Sequence, residues 1–352
     1  MRLHVVRPAL WGQALVVFTG SRAHIAGLAR FVESPKSLVL SPRSNEPDSG
    51  LGTQDLGRWF GPDGAPVEAA DEAAFYERLG LPWIAPELRE GRGEIEAAQV
   101  GRLPRLIETG DVRGDLHVHT TWSDGKGTVE QMARRARALG HEYLCIADHS
   151  QSLGVARGLS LERLAEQRRE IAQVDAAIDG LSLLSGVELD IKQDGRLDYP
   201  DEVLAQFDFV TASLHSGFQQ PPERLTERVI AAMRSPHVDA IGHLTGRVLG
   251  WRDALEMDVE AILQVAAETG TALEINAWPN RLDVHEAHAR RAKELGVKLV
   301  INTDSHADDQ LEYLRYGVEI ARRAWLEPQD VLNTLPLDEL RSYLRNRPAK
   351  AG

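Results

Sequence analysis

Cysteine is almost absent from this 352-residue chain: the single one, Cys145, lies in the apolar run EYLCIADH. No disulfide can close within the chain, so the fold must rest on a packed core, and a reducing cytoplasm is the expected compartment. The thiol is expected to be buried filler. Long apolar runs are missing too, because no stretch approaches the roughly 20 residues that a bilayer-crossing helix needs. The opening MRLHVVRPALWGQALVVFTG has no sustained apolar segment and no small-residue cleavage site, so neither export nor membrane insertion is expected. Basic charge is in deficit as well. The net charge is −13, and residues 1 to 110, with 12 basic and 14 acidic groups, carry little of it. An acidic downstream part speaks against tight nonspecific duplex binding, which depends on neutralising phosphates. Bound divalent cations would reverse the field locally and still draw a phosphate in.

What is present is an ordinary globular composition, 43% apolar and 26% charged, sufficient for one large domain and a smaller unit. Residues 1–100 read as a small α+β unit, interrupted by the Pro-, Gly-, Ser- and Asp-rich stretch from Glu33 to Pro66. DEAAFYERLG has apolar residues at helical spacing and stops at Gly80, and the prolines of LPWIAPELREGRGEIEAAQ bar a continuous helix. A linker is expected at 101–113. From 114 to 346 the texture turns regular, with strand-like runs at 115–119, 143–149, 183–191, 209–215, 240–244, 272–277 and 299–304 separated by amphipathic helical stretches. Continuous apolar runs alternating with helices imply an α/β fold with a parallel sheet buried on both faces, and closure into a barrel removes its edges. Functional side chains then collect at the carboxy-terminal strand ends.

Nine metal-seeking side chains occupy those ends. His117 and His119 share one side of the first strand, at the spacing that lets two imidazoles meet one ion, and Asp124 follows in a Ser-Asp-Gly turn. His149 closes the second run, and Glu188 sits inside the third, where a buried acid is costly unless paired or bound to metal. His215, His243, Asp304 and His306 end the fourth, fifth and seventh. Each alone has a bland reading as a surface or core residue; all nine in phase with strand ends point to several divalent ions at one mouth. Asp148, Asn276 and Asp283 are candidates for orienting ligands. Arg157, Arg247 and Arg281, on loops after the second, fifth and sixth strands, are candidates for gripping phosphate through a bidentate fork. His285 and His288 share a charged helix face, His141 and His237 precede strands, and His4 and His24 belong to the first unit, so these six are set aside.

The segments HVH with Asp124, ADH, Glu188 with SLH, and TDSH resemble the four motifs of the PHP (polymerase and histidinol phosphatase) domain, over about residues 112–345. The resemblance implies a distorted seven-stranded (β/α)7 barrel with three divalent ions, manganese first and zinc or iron as alternatives. It implies that His117, His119, Glu188 and Asp304 hold one ion, that Glu188 bridges to a second held by His215 and His243, and that Asp124, His149 and His306 hold the third. Of these, His117, His119, Glu188, His215, Asp304 and His306 would be the catalytic set. GVARGLS, LDYPDEVL, GHLTGR and LEINAWPNRLD look like the PHP domain of bacterial family X DNA polymerases, and FTGS followed by FYERLGLPWIAPELREGRGEIEAA resembles the end of their palm and their thumb. Val17 stands where that family has an aromatic, and Arg2 where it has a palm acid. The expectation is a 3'-5' exonuclease-like phosphoesterase acting on DNA ends, without polymerase activity of its own. The alternatives are a small-molecule phosphatase and a noncatalytic scaffold docking on a polymerase partner chain.

Overall fold

The change of texture along the chain corresponds to a change of architecture. The computed structural model describes residues 5–33, 59 and 67–348; Arg2, His4 and most of the Pro/Gly/Ser-rich stretch lie outside the described residues. Two units divide the chain, Met1–Arg105 and Leu106–Gly352. The described part of the first is helical, with α1 (Trp11–Thr19), α2 (Arg22–Glu33), α3 (Glu72–Arg78) and α4 (Glu94–Gln99) and no strand among the described residues. Asp71 caps α3 by accepting from the Ala74 amide at 2.8 Å. Two buried polar side chains knit this unit. Arg89 donates to the Ile84 carbonyl at 2.7 and 2.9 Å and to Glu72 at 2.5 Å. His24 lies 2.6 Å from Glu94 and 2.8 Å from the Tyr76 hydroxyl, a fully satisfied core histidine.

The second unit is the barrel. Its strands are β1 (Gly114–Val118), β2 (Tyr143–Ile146), β3 (Ser182–Asp190), β4 (Phe209–Ser213), β5 (Ala240–Ile241), β6 (Ala272–Asn276) and β7 (Leu299–Asn302). All neighbours pair in parallel in the order β1 to β7, and an isolated Val118–Ser305 bridge brings the two edges together. Between and after them run α5 (Val129–Ala138), α6 (Leu161–Ala177), α7 (Asp201–Leu204), α8 (Pro222–Met233), α9 (Val259–Thr269), α10 (Glu286–Glu294), α11 (Leu314–Arg323) and α12 (Leu337–Arg345). Local signals set their ends: Thr128 and Gln131 close a reciprocal capping box on α5, and α9 starts on Asp258 and stops at the left-handed Gly270. Part of the expected linker is drawn into this unit. Ile107 is fully buried and its amide donates to the Leu326 carbonyl, because the apolar pair Leu106–Ile107 gains more by burial than by bridging through water.

Side chains alternate across each strand, and the alternation divides the unit's interior into layers. Leu183, Val187 and Leu189 of β3, Val210 and Ala212 of β4, and Leu273 and Ile275 of β6 pack outward beneath the helices. Their inward neighbours begin apolar at the amino-terminal ends, with Tyr143, Cys145, Leu184, Phe209, Ala240, Ala272 and Val300 in one cluster. Cys145 is buried as expected, and it fits because the facing residue is Gly186, where a Cβ would lie 2.3 Å from its sulfur. Toward the carboxy-terminal ends the same inward positions become Glu188, Thr211, Ser213, Glu274, Asn276 and Asn302, all buried. The polar end of the barrel is where the ligand candidates lie.

Candidate metal centre

The strands themselves stop one to three residues short of the apolar runs, so most of the nine side chains stand just past a strand end, on backbone held by the rim. Two of them require unusual backbone: His243 has φ 24° and Asp304 φ 54°. A left-handed conformation costs a non-glycine residue on the order of 1 to 3 kcal/mol and persists only where surroundings over-determine it. Here the determinants are visible. The His243 amide reaches Glu274, and Asn276 donates to Asp304 Oδ2 at 3.0 Å.

Glu188 is the centre of the cluster. Its Oε2 lies 2.8 Å from His149 and 3.5 Å from each of His117 Nε2 and His119 Nε2, while Oε1 lies 2.8 Å from His243 and 3.1 Å from His215. Asp304 Oδ1 faces the same imidazoles from the other side, 3.1 Å from His119 and 3.9 Å from His117. Asp124 completes the rim, 3.5 Å from His149 and 3.4 Å from His306. Three groups of donors converge closely: His117, His119 and Asp304; His149, Glu188 and His215; and His119, Asp124, His149 and His306. All nine expected ligands are thus within one constellation. The expected partition is not reproduced in detail, since His119 and His149 each belong to two groups and His243 reaches the cluster through Glu188.

The contacts of 2.8 to 3.1 Å lie at hydrogen-bond distance, whereas the longer ones fit two ligands of a shared cation. Two ligand atoms about 2.0 to 2.2 Å from a shared tetrahedral ion are roughly 3.4 Å apart, which matches the 3.4 to 3.5 Å contacts of Asp124 and of His117 and His119 with Glu188. Moreover, the ring nitrogens His117 Nε2 and His119 Nε2 are buried with no hydrogen-bond partner. Orphaned buried nitrogens are costly, and a bound cation would satisfy them.

Electrostatics point the same way. Burial disfavours the charged carboxylate of Glu188, but the His215, His149 and His117 imidazoles outweigh it and hold its pKa well below the usual value. Asp304 is depressed likewise, against its burial, by His117, His119 and His306. Burial, reinforced by His306 and His149, drives His119 down to about 3, so that ring is neutral with a free lone pair at ordinary pH. His117 Nδ1 meets Glu274 at 2.7 Å, which pins the tautomer and turns Nε2 toward Glu188 and Asp304.

Glu274 was not anticipated from the sequence. It is completely buried on β6, faces inward, and accepts from His117, Asn276 and Asn302. The signal that singled out Glu188, an acid inside an apolar strand, applied equally to the ALEINA run. Asp190, 3.3 Å from His215 Nδ1, was overlooked for the same reason. Of the proposed orienting residues, Asn276 contacts a ligand directly. Asp148 instead accepts from Thr120, Ser123 and Gln167, so it ties down the loop that presents Asp124 and does not orient His149. Asp283 accepts from the Thr245 amide, with its carboxyl pushed up to about 6 by burial, and braces the turn after His243.

The three arginines also separate. Arg281 lines the cavity over the cluster, with Nε 3.5 Å from Asp304 and Nη1 buried and unpartnered. Arg247 spends its guanidinium on the Arg281 and Leu282 carbonyls, and Arg157 on the Ser123 carbonyl. Both therefore brace loops. The cavity, about 290 Å³, is instead joined by Arg252, whose place in a turn after β5 gave no sequence signal. Of the histidines set aside, His24, His141, His237, His285 and His288 lie outside the three donor groups.

A parallel seven-stranded barrel with such a rim defines a metal-dependent hydrolase. Residues 115–277 match the PHP domain family and residues 14–90 the DNA polymerase beta thumb family. The chain belongs to the PHP domain family, with a polymerase-type thumb before the barrel. It is 44% identical over 274 residues, 78% of its own length, to the "DNA polymerase/3'-5' exonuclease PolX" of Bacillus subtilis, and spans 48% of that protein. It is 30% identical to a "Probable phosphatase" of Thermoanaerobacter sp. (strain X514), over 68% of this chain and 96% of that one. A "Probable phosphatase" of Acetivibrio thermocellus is 34% identical, over 66% of this chain and 95% of that one. No helix among the described residues is long and apolar enough to cross a membrane.

Proposed function

We propose that this chain is a phosphoesterase that hydrolyses DNA at 3' ends, a 3'-5' exonuclease, using three divalent cations with manganese as the working metal. Removal of a 3'-phosphate or cleavage at an abasic site would extend the same chemistry. One observation carries the reading: a single buried carboxylate, Glu188, within 3.5 Å of five imidazole rings and opposed by Asp304. Such a set suits cations that keep open positions, whereas a purely structural site closes its coordination. Divalent ions there supply an activated water and compensate the charge on a phosphoryl group. The protein's own part is to hold and exclude. His117, His119, Glu188, His215 and Asp304, with His306, form the reacting floor, and Asp124, His149 and His243 complete the ligand set. Glu274 holds the His117 ring in register through a hydrogen bond, and Asp190 faces His215 Nδ1 at 3.3 Å. Arg281 offers a guanidinium to a nonbridging phosphate oxygen, and Leu153, Leu214 and Phe218 wall off water.

The DNA reading draws on the polymerase-type thumb and on the named activity of the Bacillus relative. A small-molecule phosphatase is the second reading, favoured by the acidic barrel unit and by relatives named as probable phosphatases along nearly their whole length. We assign the chain to the cytoplasm, where a lone buried thiol stays reduced, and leave a polymerase chain as a candidate partner of the first unit. The test loads the protein with Mn²⁺ and compares it with a His117→Ala/Asp304→Ala double variant on a labelled oligonucleotide and on histidinol phosphate. Release from the oligonucleotide by the native chain alone is expected; equal release by both proteins refutes the assignment.

A further inference from the structure

The cavity over Glu188 is one of two recesses that meet at Arg281, Asp304 and His306. The second, about 170 Å³, is walled by Val248, Trp278 and Asn280. A phosphomonoester of a compact alcohol fills one recess beside its phosphorus, whereas a phosphodiester carries a nucleoside on each side. Two recesses sharing the same acid, imidazole and guanidinium suit the diester.

A tight hairpin stands between them. Val248 and Arg252 exchange backbone hydrogen bonds of 2.8 and 2.7 Å, so the five-residue turn places Val248 in the smaller recess and Arg252 in the larger. Its base is anchored on every side. The Leu249 amide donates to the Asn280 carbonyl at 2.6 Å, Arg252 Nε donates to the Gly246 carbonyl at 2.7 Å, and the Arg252 guanidinium lies over the Phe218 ring at 4.5 Å. The tip, by contrast, is bare. Trp251 is 81% exposed, and across the mouth Val155 is 91% exposed; these are the two most exposed large apolar side chains among the described residues of the barrel unit. Scattered apolar exposure is ordinary, but an indole held in water on a fixed turn beside a catalytic mouth is placed to meet a ligand.

We propose that Trp251 stacks on a nucleobase near the 3' end of a single-stranded DNA, with the Val248–Arg252 hairpin seated between the nucleosides that flank the scissile phosphate. This rests on the DNA-end reading above and deepens it. Charge favours the assignment: with a net charge of −13 the chain has little long-range pull on a polyanion, so contacts such as stacking add affinity for the strand beyond the phosphate held at the rim. Stacking also tolerates any base, and it demands an unpaired one, which makes a frayed or single-stranded end the substrate.

The experiment uses the full Mn²⁺-loaded chain and two 5'-labelled oligonucleotides, one ordinary and one whose last two nucleotides are abasic tetrahydrofuran analogues. Base stacking is worth roughly 1 to 3 kcal/mol, so Trp251→Ala should raise KM for the ordinary strand about 5- to 150-fold with kcat nearly unchanged. Trp251→Phe should keep most of the native KM, and on the abasic strand all three proteins should behave alike. Native KM for both strands in Trp251→Ala overturns the stacking assignment and leaves the exonuclease reading intact. If the native chain cleaves neither strand, the exonuclease reading falls and stacking falls with it.

Discussion

His141 and His149 flank the same strand, β2, and are equally buried at 6% exposure. Yet their protonation equilibria move in opposite directions. Burial alone pulls His141 down to about 4, whereas for His149 the carboxylates of Glu188 and Asp124 overcome burial and raise the ring to about 10. The contrast holds for the whole barrel. At the amino-terminal end the inward layer is Tyr143, Cys145, Leu184, Phe209 and Val300, a dry core in which a histidine is merely desolvated. At the carboxy-terminal end the same inward register is occupied by acids and imidazoles that pair only in part, leaving buried ring nitrogens of His117 and His119 without a partner. One end stabilises the fold and the other is held ready by it.

The sharpest way to break this contrast is to remove the hub of the polar end. Glu188→Gln should lower turnover by more than the roughly 10- to 100-fold that changes outside the ligand set typically cost, and mass spectrometry should find the purified protein depleted of metal. Native metal content in this variant would mean that the five imidazoles do not depend on Glu188. Next in size is Glu274→Gln. The amide can still accept from His117 Nδ1, but the buried charge opposite the imidazole is lost. Metal affinity or activity should fall about 10- to 100-fold, and excess Mn²⁺ should restore much of the rate. A loss that no metal concentration repairs would give Glu274 a role other than holding the ligand.

A comparable effect separates the arginines. Arg281→Ala should raise KM for a phosphodiester substrate about 10- to 150-fold, since Arg281 lines the cavity with Nη1 unpartnered and a charge-assisted hydrogen bond is worth about 1.5 to 3 kcal/mol. Arg247→Ala should instead lower the thermal midpoint with little direct effect on KM, because its donors are taken by the Arg281 and Leu282 carbonyls. Steady-state kinetics beside a melting curve tells the two apart, and equal KM shifts would merge roles that the hydrogen bonds divide.

What could be read from the sequence follows the same division. Order and sidedness were legible, because strand alternation and strand ends are local properties: the seven runs from Asp115 to Asp304 lie on or adjoin the seven strands, and eight of the nine ligand candidates form the donor groups, with His243 joined to them through Glu188. What stayed hidden depends on chain reversal in space. Glu274 and Asp190 look like ordinary strand acids until β6 and β3 bring them under His117 and His215. Arg157 and Arg247 occupy promising loops, but whether a guanidinium faces a cavity or a carbonyl is decided by the turn of a backbone that no periodicity encodes. Ile107, read as linker, shows the same limit, since its partner Leu326 is remote in the chain.

The weakest perturbation tests the dry end. His141 has a folded pKa of about 4, below the ordinary 6.5, so between those values the unfolded chain takes up a proton that the folded chain refuses. Its contribution to stability is therefore complete above pH 6.5 and is lost as pH falls toward 4, a swing of at most about 3 kcal/mol at 1.36 kcal/mol per unit. Titration of the rim residues, with any acid release of metal, is common to the native chain and His141→Gln and cancels in the difference. Urea midpoints at pH 7 and pH 4.5 should thus converge in the variant relative to the native protein. If the two proteins lose stability in parallel, His141 is not held neutral in the fold, and the two ends of β2 differ less than their surroundings imply.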